Sequence, residues 1–309
     1  MSLVNIDVTL RDGGYRNGFG FDLDYARAHA RLSLAAGFDW VEIAYRKGSF
    51  KPVPKLGLTG RGDDDYIEAI AGEVGAEHVG LILHPRNIDD TDLPAMYRAG
   101  ARLVRVCVAA GDPQPAFDAV RRAREIGFTT CVNLTRVTQL PARKVVDLAV
   151  AAAEAGAEVV YLADSNGSML PEQTARLTTL VKSVANVEVG LHAHNNLGLA
   201  MSNAMSAVDA GATWMDSSVL GMGKGPGNLV AEQWIAYLER TKLVTGYDLG
   251  TVLHLADLLG RSVPESAPSL PLPDLVLGHF DLSVELRGDI VEHDDHRLAV
   301  HTAKSLAAG

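Results

Sequence analysis

Residues Ala142–Ala163 read ARKVVDLAVAAAEAGAEVVYLA. Fourteen residues to Ala155 are rich in Ala, Leu, Val, Arg and Lys, strong helix formers for the most part. Gly156 follows, and then a short β-branched run, Val159–Ala163. A glycine just past a helix supplies the left-handed cap that turns the chain back, so the stretch predicts helix, cap and buried strand. The same punctuation recurs at Ala36-Gly37-Phe38, Ala99-Gly100-Ala101 and Ala210-Gly211-Ala212. Working outward, strands are predicted at Ile6–Thr9, Trp40–Tyr45, His78–Leu83, Leu103–Val108, Thr129–Leu134, Val159–Ala163, Glu188–His192 and Trp214–Leu220. Helical stretches lie between them, at Tyr25–Ala36, Asp64–Val74, Pro115–Ile126, Ala142–Ala155, Pro171–Val184 and Ala200–Ala210. This alternation is the α/β rhythm of a (β/α)8 TIM barrel. A doubly wound sheet is the second choice, but no G-x-G-x-x-G follows the first strand. The barrel is expected over residues 1–241. A helix at Tyr247–Leu259 and a proline-rich turn over Pro264–Pro273 then mark 242–309 as a helical or irregular appendage packed on the barrel.

With 309 residues, 47% of them hydrophobic, the chain can bury a substantial core. A net charge of −10 argues against nucleic acid or an anionic membrane as partner. No long apolar run is present and Met1–Asn5 shows no leader signature, so a cytoplasmic protein is expected. Cys107 and Cys131 sit in apolar strand-like runs and read as buried free thiols.

Three segments carry the chemistry. In Gly190-Leu191-His192-Ala193-His194-Asn195-Asn196, two histidines two apart at the end of an apolar strand face the same way. Val8-Thr9-Leu10-Arg11-Asp12-Gly13-Gly14 is a second apolar run ending in charges and glycines. Gly221-Met222-Gly223-Lys224-Gly225-Pro226-Gly227-Asn228 is a glycine-rich loop closing on an amide. Asp12, His192, His194 and Asn228 together form a mixed oxygen and nitrogen donor set for a divalent metal. Without thiolates it suits Mn²⁺ or Mg²⁺, while Zn²⁺ and Co²⁺ also fit. Asn228 can equally cap the helix that begins at Leu229. Active sites of such barrels lie at the C-terminal ends of the strands. Arg11, Glu42, Arg46, Asn133, Arg136 and Asp164 fall there, as do His84 and Arg86. Glu42, inside Val41-Glu42-Ile43, needs a buried partner and is a catalytic or supporting candidate. His84, Asn133 and Asp164 are candidate substrate contacts. His279 could reach the rim from the appendage.

The Thr9–Gly13 element, the His192/His194 pair and the glycine loop to Asn228, in that order over residues 4–240, resemble the DRE-TIM metallolyases. The wording Leu162–Met169 and Leu220–Gly223 is most similar to 4-hydroxy-2-oxovalerate aldolase-like members. The resemblance implies metal ligation by Asp12, His192 and His194, a further ligand at Asn228, and an enolate-stabilising role for Arg11. The chain departs from those aldolases where they carry a catalytic histidine, three residues past the metal aspartate, because Tyr15 stands there. It also lacks their long C-terminal segment, and Gly221–Gly227 contains no cysteine such as the lid loop of hydroxymethylglutaryl-CoA lyase carries.

The expectation is a metal-dependent aldolase acting on a small 2-oxo acid and an aldehyde, as a homodimer or larger. The alternatives are a Claisen-type enzyme condensing an acyl-CoA and a non-catalytic metal-binding barrel. Tyr15 is expected to carry the proton, its phenol pKa lowered by the adjacent guanidinium and cation; the rival reading is that Tyr15 only shapes the pocket and that Glu42, His84 or His279 moves the proton.

Overall fold

A computed structural model describes residues 3–50, 55–291 and 296–308. Eight parallel strands close into a barrel: β1 (Val4–Asp7), β2 (Trp40–Arg46), β3 (Val79–Leu83), β4 (Leu103–Val108), β5 (Thr129–Thr135), β6 (Val159–Asp164), β7 (Glu188–Ala193) and β8 (Trp214–Ser217). Each pairs with the next, and β8 returns to β1 through Ile6 opposite Asp216. The (β/α)8 expectation holds. Gly100 and Gly156 end their helices at φ 112° and 99°, a conformation in which any Cβ is strained.

Two strand ends differ from the reading above. β1 stops at Asp7, whose carboxylate accepts the Thr9 N–H (2.9 Å) and hydroxyl (2.5 Å) and turns the chain into a short helix, Thr9–Asp12. β8 stops at Ser217 because Leu220 takes a left-handed conformation and gives its N–H to Glu232. The helix that ends at the Gly100 cap, Asp92–Ala99, has only eight residues and Pro94 near its start, so its periodicity is too short to set its bounds from the sequence; the short helices Gly14–Asn17 and Leu58–Arg61 carry no such signal either.

The barrel interior has two zones. Ile6, Leu103, Cys131, Val159 and Tyr161 pack into an apolar plug near the strand starts. Above it, Glu42, Arg105, Asn133 and Asp216 form a buried polar layer. Outside, the strands' other faces pack on the helices in one large cluster. Helix Leu249–Ser262 joins that cluster through Val252, Leu255 and Leu259.

Beyond it, helices Leu272–His279, Arg287–Val291 and His296–Ala308 build a separate small cluster around Leu277, Leu282, Ile290, Ala299 and Ala303. Asp281 pins this segment over the strand-end loops. Its carboxylate accepts from Thr138 (2.7 Å), Asn166 (2.9 Å) and Ser168 (2.5 Å). Both cysteines are buried and free. Among the described residues, no helix is long and apolar enough to cross a membrane.

Candidate active site

Because strand side chains alternate, His192 near the end of β7 and His194 just past it both face the barrel mouth, with ring centroids 5.0 Å apart. The short helix after β1 delivers Asp12 beside them. One donor atom from each of Asp12, His192 and His194 lies within 4.8 Å of the other two, as a shared ion requires. Asn228 donates from Nδ2 to Asp12 Oδ2 at 2.8 Å, and its own Oδ1 is buried with no partner. That orphaned acceptor beside the trio fits a fourth donor to the same ion. Gly223 has to lack a side chain, since a Cβ would come within 2.4 Å of Asn228 Nδ2. Burial drives His194 down to about 3, so its ring is neutral and able to ligate near pH 7. Burial opposes ionisation of Asp12, but the adjacent Arg11 guanidinium, helped by the Asn228 amide, outweighs it and keeps the carboxylate charged.

Arg11 is held from two sides. Its Nε donates to Glu42 at 2.5 Å and its Nη1 to Asp12, while Nη2 is buried without a partner. Glu42 also accepts from Arg105 Nη1 at 3.1 Å, so both its oxygens are engaged by arginines. Arg105 Nη2 donates to Asp216 at 2.6 Å, and Asp216 bonds His192 Nδ1 at 2.8 Å. An unbroken ion network thus links the Arg11 guanidinium, the Asp12/His192/His194 trio and the barrel floor. Sequence reasoning missed Arg105 and Asp216. The signal was the one that exposed Glu42, a charge within an apolar strand run.

A cavity of about 570 Å³ opens above this network. Of the candidate residues, Arg11, Asp12, Tyr15, His84, Asn133, His192 and His194 line it, as do Arg86 and Arg136. Asn133 also accepts from Arg105 Nε at 3.3 Å. Glu42 and Asn228 lie just beneath the lining. Asp164 does not reach the cavity; its two oxygens take the amides of Ser168 and Met169 at 3.0 Å and shape the loop after β6. Arg46 is engaged by Asp64 and Asp92. His279 is exposed, and among the described residues Glu285 is the appendage residue that reaches the cavity wall.

Tyr15 stands on the wall with its hydroxyl 2.5 Å from Ser49 Oγ and 3.0 Å from the Tyr45 hydroxyl. The protein's own groups move its pKa up, so the Arg11 guanidinium alone does not lower it. Burial pushes the phenol up, and this outweighs the hydrogen bonds from Ser49 and Tyr45 and the Arg11 charge. Tyr15 is therefore a neutral phenol near pH 7. Burial, with Arg86 and Arg11 nearby, lowers His84 to about 4 and leaves its imidazole neutral too.

The sequence profile of the HMGL-like family matches residues 3–259. The chain belongs to that family. It is 31% identical over 271 residues to a 4-hydroxy-2-oxovalerate aldolase of Carboxydothermus hydrogenoformans, covering 88% of this chain and 79% of that one. An oxaloacetate decarboxylase of Mycobacterium tuberculosis is 30% identical over 85% of this chain and 78% of its own. Among solved structures, the HMG-CoA lyase of Bacillus subtilis superposes with a TM-score of 0.73 at 20% identity, over 86% of this chain and 95% of that one. This HMGL-like protein thus shares its barrel with that lyase and about 30% of its sequence with the two named enzymes.

Proposed function

We propose that this protein is a divalent-metal-dependent carbon–carbon lyase that cleaves or forms a 4-hydroxy-2-oxo acid through a pyruvate-type enolate. The observation that carries this reading is the buried, unpartnered Nη2 of Arg11, set beside a trio of donors spaced for one ion. Asp12, His192 and His194 would hold Mn²⁺ or Mg²⁺, with Asn228 as a further oxygen donor. The bound ion supplies Lewis acidity to a 2-oxo acid.

Arg11 presents Nη2 where negative charge grows as the enolate forms, and a preorganised donor at such a point is a large catalytic contribution. Glu42 and Asp12 keep its fork fixed. His192 is positioned by Asp216, which holds Nδ1 and turns Nε2 towards the trio. Tyr15, a neutral phenol in a hydroxyl chain with Ser49 and Tyr45, passes the alcohol proton, since each hydroxyl both donates and accepts. The kinship with aldolases at about 30% identity supports the same reaction class.

The test is pyruvate release from 4-hydroxy-2-oxopentanoate by protein stripped with chelator and then reloaded. Release that needs Mn²⁺ or Mg²⁺ is expected. Metal-independent release, or turnover of acetyl-CoA with a 2-oxo acid instead, would contradict the reading.

A further inference from the structure

The cavity is far larger than a three-carbon enolate requires, and one wall of it is ordered from floor to mouth. The Arg11 guanidinium lies 5.5 Å from the Tyr45 ring centre. Tyr45 stacks on His84 at 6.0 Å and 12°, and Phe50 follows His84 at 6.1 Å. Phe50 in turn carries two guanidiniums, Arg86 at 4.8 Å and Arg136 at 5.3 Å. The succession runs from the enolate end to a pair of arginines that share one aromatic ring and line the same cavity.

Neither arginine is fully engaged by the fold. Arg86 donates from Nη2 to the Phe50 carbonyl and forms no ion pair among the described residues. Arg136 bonds Glu285 at 3.1 Å through Nη2, which orients its fork. Its backbone is held left-handed at φ 56°, with its N–H on Ser165 Oγ at 3.0 Å. A non-glycine residue in that region is strained, and such strain concentrates at functional positions. Besides Glu285 and Asp12, Asp112 also lines the cavity. In a chain of net charge −10, two arginines converging on a cavity mouth call for an anion, because the planar fork grips carboxylate and phosphate oxygens in pairs.

We infer that Arg86 and Arg136, braced on Phe50, form a subsite for an acidic group at the far end of the acceptor, so that the preferred acceptor is an aldehyde bearing a terminal carboxylate or phosphate. This rests on the reaction proposed above and names its second substrate class. In the condensing direction the donor loses a proton from C3 to water in the cavity, and that proton is returned to Tyr15 at the end of the cycle. The donor C3 then bonds the aldehyde carbon, and the carbonyl electron pair becomes an alkoxide that takes a proton from Tyr15. The distal anion stays on the arginines throughout and is chemically unchanged.

The experiment pairs the metal-loaded protein with pyruvate and three acceptors: succinic semialdehyde, glyceraldehyde 3-phosphate and butanal. Exchange of pyruvate C3 protons with D₂O, measured without acceptor, reports the donor reaction alone. If exchange is absent, the proposed function fails whatever the acceptor. Given exchange, kcat/KM is expected to favour an acidic aldehyde over butanal, and the better of the two acids identifies carboxylate or phosphate. Arg86→Gln and Arg136→Gln should each reduce that acid-to-neutral ratio about tenfold or more, the usual scale for a lost hydrogen bond to a charged group. Arg86→Lys should restore part of it. Equal use of butanal by the wild type, or a loss in the Gln variants that is the same for every acceptor, would overturn the subsite.

Discussion

Asp216 Oδ2 joins two buried partners at once, His192 Nδ1 at 2.8 Å and Arg105 Nη2 at 2.6 Å. A carboxylate behind a ligating imidazole fixes its orientation and raises its basicity. Arg105 stops that carboxylate from being an isolated buried charge. On the proposed ligation by His192, metal affinity is thereby tied to the barrel floor.

Asp216→Asn should keep the shape but weaken this hold. The expected loss is about 10–100-fold in metal affinity, the range for outer partners of ligating histidines. Titration of stripped protein with Mn²⁺, followed by calorimetry, checks it. An unchanged affinity would show that His192 needs no such orientation.

Arg105→Met should act on stability instead. Removing the guanidinium leaves Glu42 with Arg11 alone and Asp216 without its arginine, in a fully buried layer. Breaking a buried pair typically costs about 3–5 kcal/mol. Denaturant unfolding should show a loss on that scale.

Much of this was legible before any coordinates. The helix–glycine–strand punctuation at Gly100 and Gly156 announced the barrel, because only a left-handed cap returns a helix so sharply. The H-x-H spacing placed two imidazoles on one side, since strand parity leaves no alternative. What stayed hidden depends on contacts across the barrel. Asp164 ends a strand like a site residue, yet its carboxylate caps its own loop. Arg105 and Asp216 are far apart in sequence and meet only when β4 and β8 face each other across the interior. The direction of the Tyr15 shift could not be read either, because burial, the dominant cause, is a property of the folded wall.

Arg11→Ala should reduce kcat by about 10²–10³, the usual consequence of losing one donor to a developing oxyanion. Arg11→Lys should recover only part, because a lysine cannot satisfy Glu42 and Asp12 while still pointing a donor at the substrate. Near wild-type turnover by the alanine variant would remove Arg11 from the reaction.

Tyr15→Phe keeps the ring and deletes the proton. A fall of about 10² in kcat is expected, with pyruvate affinity retained. Ser49→Ala should have a smaller effect in the same direction. An intact kcat in Tyr15→Phe would exclude the phenol as the proton carrier.

His84 predicts a pH dependence of stability. Its folded pKa is about 4 against an ordinary 6.5, so between those values the unfolded chain binds more protons. Stability should therefore be complete above about pH 6.5 and decline as pH falls towards 4. His84→Gln should flatten that part of a stability-versus-pH curve, measured by thermal unfolding at fixed ionic strength.

The central claim is that Asp12, His192 and His194 hold the ion that makes a pyruvate enolate. It is tested most directly by proton NMR of pyruvate in D₂O, following loss of the C3 signal. Wild-type protein loaded with Mn²⁺ or Mg²⁺ should catalyse the exchange. Stripped protein and a folded Asp12→Ala variant should not, and that variant should carry no bound metal. Exchange that persists in Asp12→Ala, or that needs no metal in the wild type, would contradict the account.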